Sequence, residues 1–411
     1  MNEELIIERL VRRIEQANTY FLERIGSSIS EIKKLTPTQA QQLVNILKYG
    51  GSYEEIVRKI AEYTNLNIQD INSIFANYAE NDQLFNKQFY EYRNIPFIEY
   101  AENEALKRQT EALANITKQA MYNFTRSRAI GYTIRDFDGT TRFFGLRETY
   151  ERVLDEALLN IAQGKESFDS AMRRTLKDIG GSGLKTVEFQ SGRSYRLDSA
   201  VRMQLQDGLR ELHNENQRLF GEEFGSDGVE VTVHEMPAPD HAEVQGRRFF
   251  NEEYEKLQTT GTATDDRGKI IDMHRENKNG TYGGFRPISD YNCYHTVFHI
   301  IVGIGKPEYS EEQLQQIIDN TNKEFEFDGK KYNMYEGTQL QRKIERTIRQ
   351  QKDIQILARK TGDKELILQT QEKITQLTDK YRELSEISGL KTKMQRLSVS
   401  GYRRVAKSKL K

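Results

Sequence analysis

The chain has 411 residues, of which 30% are charged and 36% hydrophobic, with six prolines, one cysteine and a formal net charge of −1. That length accommodates two or three domains of about 150 residues, the single cysteine excludes an internal disulfide framework, and scarce proline with abundant charge favours long amphipathic helices over a compact β architecture. The longest apolar stretch, Val297 to Ile304, is far short of the ~20 residues of a membrane span, and Met1-Asn-Glu-Glu-Leu-Ile lacks the basic start and apolar run of a signal peptide, so aqueous, reducing surroundings are expected.

In chain order, residues 3–35 place Leu5, Ile6, Leu10, Ile14, Ala17 and Phe21 at spacings near 3.6, which predicts a helix. Thr36-Pro37-Thr38 stops it and starts a second helix, with Thr38 as N-cap, that runs to about Lys48 and closes at Gly50-Gly51. Ser52-Tyr-Glu-Glu55 is a capping-box pattern, in which hydroxyl and carboxylate satisfy each other's exposed backbone donors, so a third helix opens there. Asn67 to Asn77 adds a short fourth. Beyond Pro96, Phe97 to Ser127 lacks proline and glycine and repeats apolar residues through Leu106, Leu113, Ile116 and Met121, predicting one long helix. Residues 1–130 thus form a helical region.

Residues 131–225 mix helices with short hairpins. Asp138-Gly139 is a strong turn signal between Tyr132 and Phe144. Helices follow at Leu146–Ala162 and Ser167–Lys177. Gly180-Gly181-Ser-Gly183 lacks the Lys-Ser/Thr that would grip a nucleotide and reads as a hinge. A second hairpin spans Thr186 to Arg196, and Leu197 to Phe220 is a helix. On it Arg202, Gln206, Arg210 and Asn214 share a stripe, either a solvated face or a recognition surface.

The stretch from Val229 to Gly305 gathers five of the six histidines, His234, His241, His274, His295 and His299, and the only cysteine, Cys293. Val229 to Val233 alternates at period two and predicts a half-buried strand. Asp240 suits an N-cap for a helix opening at His241, on which His241 and Gln245 would share a face. Arg286 to Asp290 is a turn leading into Asn292-Cys293-Tyr294-His295, where Cys293 and His295 point the same way if the segment is extended. Two imidazoles and a thiolate could hold zinc with water in a fourth position. The same groups could be a cysteine nucleophile with a histidine base, although Asp290 is the only carboxylate at hand to orient it. The alternative is structural: His241 and Gln245 bonded to a buried loop, with Cys293 a small core residue. His234, His274 and His299 read as satisfied polar residues.

Ser310-Glu-Glu starts another helix, Asp328-Gly329 tips a third hairpin, and Thr338–Arg359 and Asp363–Ser388 form a helical hairpin whose seam is Thr370, Ile374, Leu377, Tyr381 and Leu384. The segment Gln341–Lys411 carries 19 Lys+Arg against 8 Asp+Glu, a charge of +11 that leaves −12 on the first 340 residues. Arg342, Arg346 and Arg349 line one helix face. After Glu386 the tail adds Lys391, Lys393, Arg396, Arg403, Arg404, Lys407 and Lys409 without an acid. Such a surface binds phosphate backbones without reading bases, or else solubilises the chain or meets an acidic protein. Residues 389–411 have too few apolar side chains to fold alone and are expected to be mobile.

The patterns His241-Ala-Glu-Val-Gln245-Gly246-Arg247, Asn292-Cys293-Tyr-His295, Val302-Gly303-Ile304 followed by Tyr309-Ser-Glu-Glu, and Tyr335-Glu-Gly-Thr338 through Arg349 resemble the tailed-phage minor capsid protein family (minor capsid protein 2), related to the F-type head proteins of Mu-like phages. The resemblance covers residues 150–411 in the family's order. It departs at Tyr294, where relatives usually carry arginine, and around Asp290, where they tend to have glycine. It implies a head morphogenesis protein near the portal vertex, with portal protein, major capsid protein and packaged double-stranded DNA as partners. Virion localisation would follow assembly in the host cytoplasm. The alternative implied is an enzyme or toxin-like effector delivered with the genome. The expected fold is α+β and predominantly helical: a helical region 1–130 docking on portal or capsid, residues 131–225, a family core domain 226–337, a basic helical hairpin 338–388 and a basic tail 389–411.

Overall fold

The computed structural model describes all residues except 1–2, 66–67, 126–128, 137, 164–167, 188–193, 235, 277–281, 290–292, 294 and 406–411. In chain order the elements are α1 (Glu3–Ile32), α2 (Pro37–Tyr49), α3 (Ser52–Thr64), α4 (Ile68–Arg93), α5 (Glu104–Thr125), β1 (Ile130–Arg135), β2 (Thr141–Gly145), α6 (Leu146–Gln163), α7 (Phe168–Ser182), β3 (Lys185–Val187), β4 (Ser194–Arg196) and α8 (Leu197–Phe224). There follow β5 (Gly228–Val231), a 3-10 turn (Pro239–His241), β6 (Arg248–Phe250), α9 (Asn251–Thr260), β7 (Thr262–Thr264), β8 (Ile270–Asp272), β9 (Arg275–Glu276), β10 (Tyr282–Gly283) and β11 (Val297–Ile300). The chain ends in α10 (Glu311–Asn322), β12 (Glu324–Phe327), β13 (Lys330–Asn333), α11 (Met334–Thr361), α12 (Lys364–Ser388) and a 3-10 turn (Met394–Leu397). The architecture is predominantly helical α+β, as the sequence predicts.

Helix α1 is the spine. Leu10, Ile14, Ala17, Phe21 and Ile25 recur every third or fourth residue and are fully buried, because α3, α6, α8 and α11 close around them. The apolar stripe of α1 is therefore spent inside the molecule. One apolar core runs from Ile7 through Leu357 to Val399 and joins the N-terminal helices to the C-terminal hairpin.

Several helix boundaries differ from the sequence reading. Thr36, not Thr38, caps α2: Pro37 occupies the first turn, where its missing N–H costs nothing, and Gln39 Oε1 accepts from Thr36 N at 3.2 Å. Ser52 lies inside α3, whose N-cap is Gly51 in the left-handed region. The fourth helix continues to Arg93. The long helix begins only at Glu104, because Asn103 Oδ1 accepts from Leu106 N at 3.0 Å while Ile95, Phe97 and Tyr100 turn into an aromatic cluster with Phe89 and Phe224. Gly180 and Gly181 are helical, not a hinge. A Cβ at Gly180 would lie 2.7 Å from the Ile354 backbone, so this glycine lets α7 press onto α11.

The first four strands form an antiparallel sheet of order β2-β1-β3-β4, and β11-β5-β6 form a second. All of β5 is buried rather than half of it. Glu230 is tolerated there because Arg248, its cross-strand neighbour on β6, donates to it at 2.5 Å. The hairpin tip Asp328-Gly329 adopts positive φ at both residues, 51° and 69°, as a tight two-residue turn requires.

The stripe on α8 is half-buried rather than a solvated face. Arg202 pairs with Glu8 at 2.9 Å, and Arg210 pairs with Asp207 at 3.1 Å and donates to the Cys293 carbonyl at 3.0 Å. The tail is not free through residue 405. Leu397 and Val399 are buried, Thr19 donates to Ser400 O at 2.9 Å, Lys352 donates to Leu397 O at 2.5 Å, and Gln371 Oε1 accepts from Val405 N at 3.0 Å. Two apolar anchors and these bonds offset the ordering entropy that composition alone could not.

Candidate functional site

His241, Gln245, Cys293 and His295 converge, each at most 3% exposed. No α-helix brings the first two together: Pro239–His241 is a single 3-10 turn followed by turns through Gly246. Asp240 does not cap a helix but accepts from Arg286 at 3.3 Å. What folds the loop is Gly246, at φ 68°, whose absent side chain makes room for Leu314 and Val233, and Arg247. The Arg247 guanidinium is buried and donates to Asp265 at 2.7 Å and to Glu311 at 2.9 and 3.0 Å. Burial weighs against the charge of Arg247, but the hydrogen bonds and charges of Glu311 and Asp265 outweigh it. On the other side of the site, Ser289 donates to His295 O at 2.9 Å and Arg210 holds the Cys293 carbonyl.

Cys293 Sγ lies 3.4 Å from His241 Nδ1 and 3.7 Å from His295 Nδ1. His241 Nε2 sits 2.7 Å from the Arg286 carbonyl, and His295 Nε2 sits 3.3 Å from Gln245 Oε1. Both partners only accept, so each Nε2 carries the proton and each Nδ1 turns a lone pair toward sulfur. Burial, with His234, His241 and Arg286 adding to it, pushes the His295 pKa down to about 2. Burial also raises the Cys293 thiol. A buried thiol with a raised pKa is the weaker nucleophile.

Of the remaining histidines, His234 borders the site, with its ring centre 4.7 Å from that of His295, and the others are bonded elsewhere. His234 N donates to Gln245 Oε1 at 3.0 Å, His274 pairs with Asp272 at 2.7 Å, and His299 N donates to Gln217 Oε1 at 3.1 Å. His213, outside the predicted stretch, lies between Asp82 and the Val297 carbonyl and ties α4 and α8 to β11. No local pattern in the sequence singles it out. Asn292, Tyr294 and Asp290 lie outside the described residues.

The basic residues separate into two groups. Arg342 and Arg346 are exposed on α11, as are Lys391, Arg403 and Arg404 in the tail, with Lys393 and Arg396 half-buried. Arg349, three residues further along α11, is turned inward onto Asp198 at 2.5 Å and Glu15 at 3.6 Å, and is withdrawn from any external surface. Lys407 and Lys409 lie outside the described residues.

The sequence model of the family described as phage minor capsid protein 2 matches residues 3–386. The chain belongs to that family. No curated protein and no solved structure matches it. As a member of a phage capsid family the protein is a virion component, and no helix among the described residues is long and apolar enough to cross a membrane. The family match extends well before residue 150, where the sequence resemblance begins, so the α1 to α5 helices belong to the capsid module.

Proposed function

We propose that this minor capsid protein is a structural component of the phage head near the portal vertex, where it meets portal and major capsid proteins and touches packaged double-stranded DNA through its basic C-terminal surface. The family match over residues 3–386 carries the reading. The charge distribution supports the DNA contact: Arg342 and Arg346 are exposed on α11. The tail returns to the same hairpin, with Lys393 N bonded to Tyr381 Oη at 2.9 Å and Leu397 buried beside Ile344 and Ile348, which holds Lys391, Lys393 and Arg396 against it. Such a surface neutralises phosphates without reading bases.

The DNA arm is tested by salt titration of duplex binding. Arg342→Glu with Arg346→Glu is expected to weaken binding and to lower the log–log salt slope by about 2, one for each lost phosphate contact. An unchanged slope would remove these arginines from the interface. The location is tested by cross-linking mass spectrometry on purified virions. Cross-links to portal protein are expected, and links confined to tail proteins would overturn the placement.

A further inference from the structure

We propose that His241, Cys293 and His295 bind a zinc ion through Nδ1, Sγ and Nδ1, tying the Pro239–Gly246 loop to the segment that enters β11. A tetrahedral zinc ion with Zn–S of about 2.3 Å and Zn–N of about 2.0–2.1 Å holds sulfur and nitrogen about 3.5 Å apart. The two sulfur–nitrogen separations here are 3.4 and 3.7 Å, and one ligand atom from each residue falls within 4.8 Å of the others. The distances are those of ligands around a shared centre.

Proton counting argues the same way. The Arg286 carbonyl and Gln245 Oε1 hold each Nε2 proton outward, which is how imidazole ligands are commonly oriented by a second layer of acceptors. Two ring lone pairs and one sulfur therefore converge, and one S–H proton can serve only one nitrogen. A cation satisfies all three donors at once. Thiolate with two imidazoles and no carboxylate selects zinc over magnesium or calcium.

Binding would form one Zn–S and two Zn–N bonds and release the thiol proton to solvent, with no change of oxidation state. A water molecule would complete the four-coordinate shell. The role is structural. The β11-β5-β6 sheet has a small apolar core of its own, built around Val231, Val244, Phe249 and Val297, and small cores are commonly reinforced by a metal tie.

The test uses the full chain with its affinity tag removed. Elemental analysis after dialysis is expected to find close to one zinc per chain. Cobalt loading should give a sulfur-to-cobalt charge-transfer band that Cys293→Ser abolishes. Gln245→Ala, which keeps all three ligands, should weaken zinc affinity about 10–100-fold. Titrating the wild-type thiol with an organomercurial beside a zinc indicator requires no variant to fold, and one zinc should appear per thiol modified. Wild-type protein without stoichiometric zinc, equal zinc in Cys293→Ser, or zinc release independent of thiol modification would each overturn the assignment.

Discussion

Replacing Glu15 with glutamine should make the protein more stable at alkaline pH and leave it little changed at acid pH. Glu15 belongs to a buried chain of charges linking α1, β4, α8 and α11. Arg349 lies 3.6 Å from Glu15 and 2.5 Å from Asp198, and Arg196 lies 3.2 Å from both Asp198 and Asp353. Three carboxylates face two guanidiniums, and the Lys352 ammonium also acts on Glu15. Burial disfavours the charge on Asp198, yet Arg196 and Arg349 outweigh it and hold that carboxyl down to about 2. Burial, reinforced by the Asp198 charge, pushes Glu15 up from 4.5 to about 7. Asp353, fully buried, is raised by the same desolvation.

The folded chain therefore holds a proton on Glu15 that the unfolded chain has released between about pH 4.5 and 7. Where the folded state binds more protons, stability falls as pH rises. The contribution is complete below 4.5 and lost as the pH passes about 7. At about 1.4 kcal/mol per tenfold change in proton affinity, that interval sets a ceiling of roughly 3 kcal/mol. Glu15 keeps 12% exposure, which lets water soften the penalty, and about 1–3 kcal/mol is the working expectation. Glutamine matches the shape and never ionises. Urea unfolding of both proteins at about pH 5 and about pH 8.5 should show the wild type losing that amount relative to Glu15→Gln as pH rises. Parallel pH profiles, or a variant less stable at the alkaline end, would refute the argument.

Gly180→Ala should destabilise by about 1–3 kcal/mol, since its Cβ would sit 2.7 Å from the Ile354 backbone. Gly181→Ala, next to it in α7 with open space, should be neutral or stabilising by up to about 1 kcal/mol. Paired thermal melts compare the two, and equal effects would deny the close helix approach. Asp265→Ala should cost about 1–3 kcal/mol, because it strips the buried Arg247 of one of its two carboxylate partners, at 2.7 Å, and leaves Glu311 as the other. Denaturant midpoints check this. Phe21→Ala, which empties a fully buried position of α1 stacked on Tyr132 at 4.9 Å between ring centres, should cost about 3–5 kcal/mol by the same assay.

The helices were legible because their signals are local. The apolar period of α1 and the capping residue Ser310 act within a turn or two of themselves, and they are found where the pattern places them. The meeting of His241, Gln245, Cys293 and His295 was legible as chemistry but not as geometry. The shared helix face does not exist, and a turn stabilised by Gly246 and Arg247 through distant Leu314, Asp265 and Glu311 does its work. Arg342, Arg346 and Arg349 look alike in sequence. Only the arrival of α1 and α8 beside the later part of α11 turns Arg349 into an interior cation. The tail reads as unfoldable by composition, because its anchors Leu397 and Val399 are useful only beside surfaces supplied by α1, α11 and α12.

By itself the sequence determined that this protein is built from long amphipathic helices with short hairpins, that its positive charge gathers at one end, and which phage capsid family it belongs to. Periodicity, capping and family motifs are properties of neighbouring residues, and they survive without knowledge of the fold. Tertiary structure alone decided which cations face outward, that Gly180 is a packing contact, and that two imidazoles and a thiol share one buried centre. Each of those outcomes depends on which surfaces, far apart in the chain, exclude water from one another.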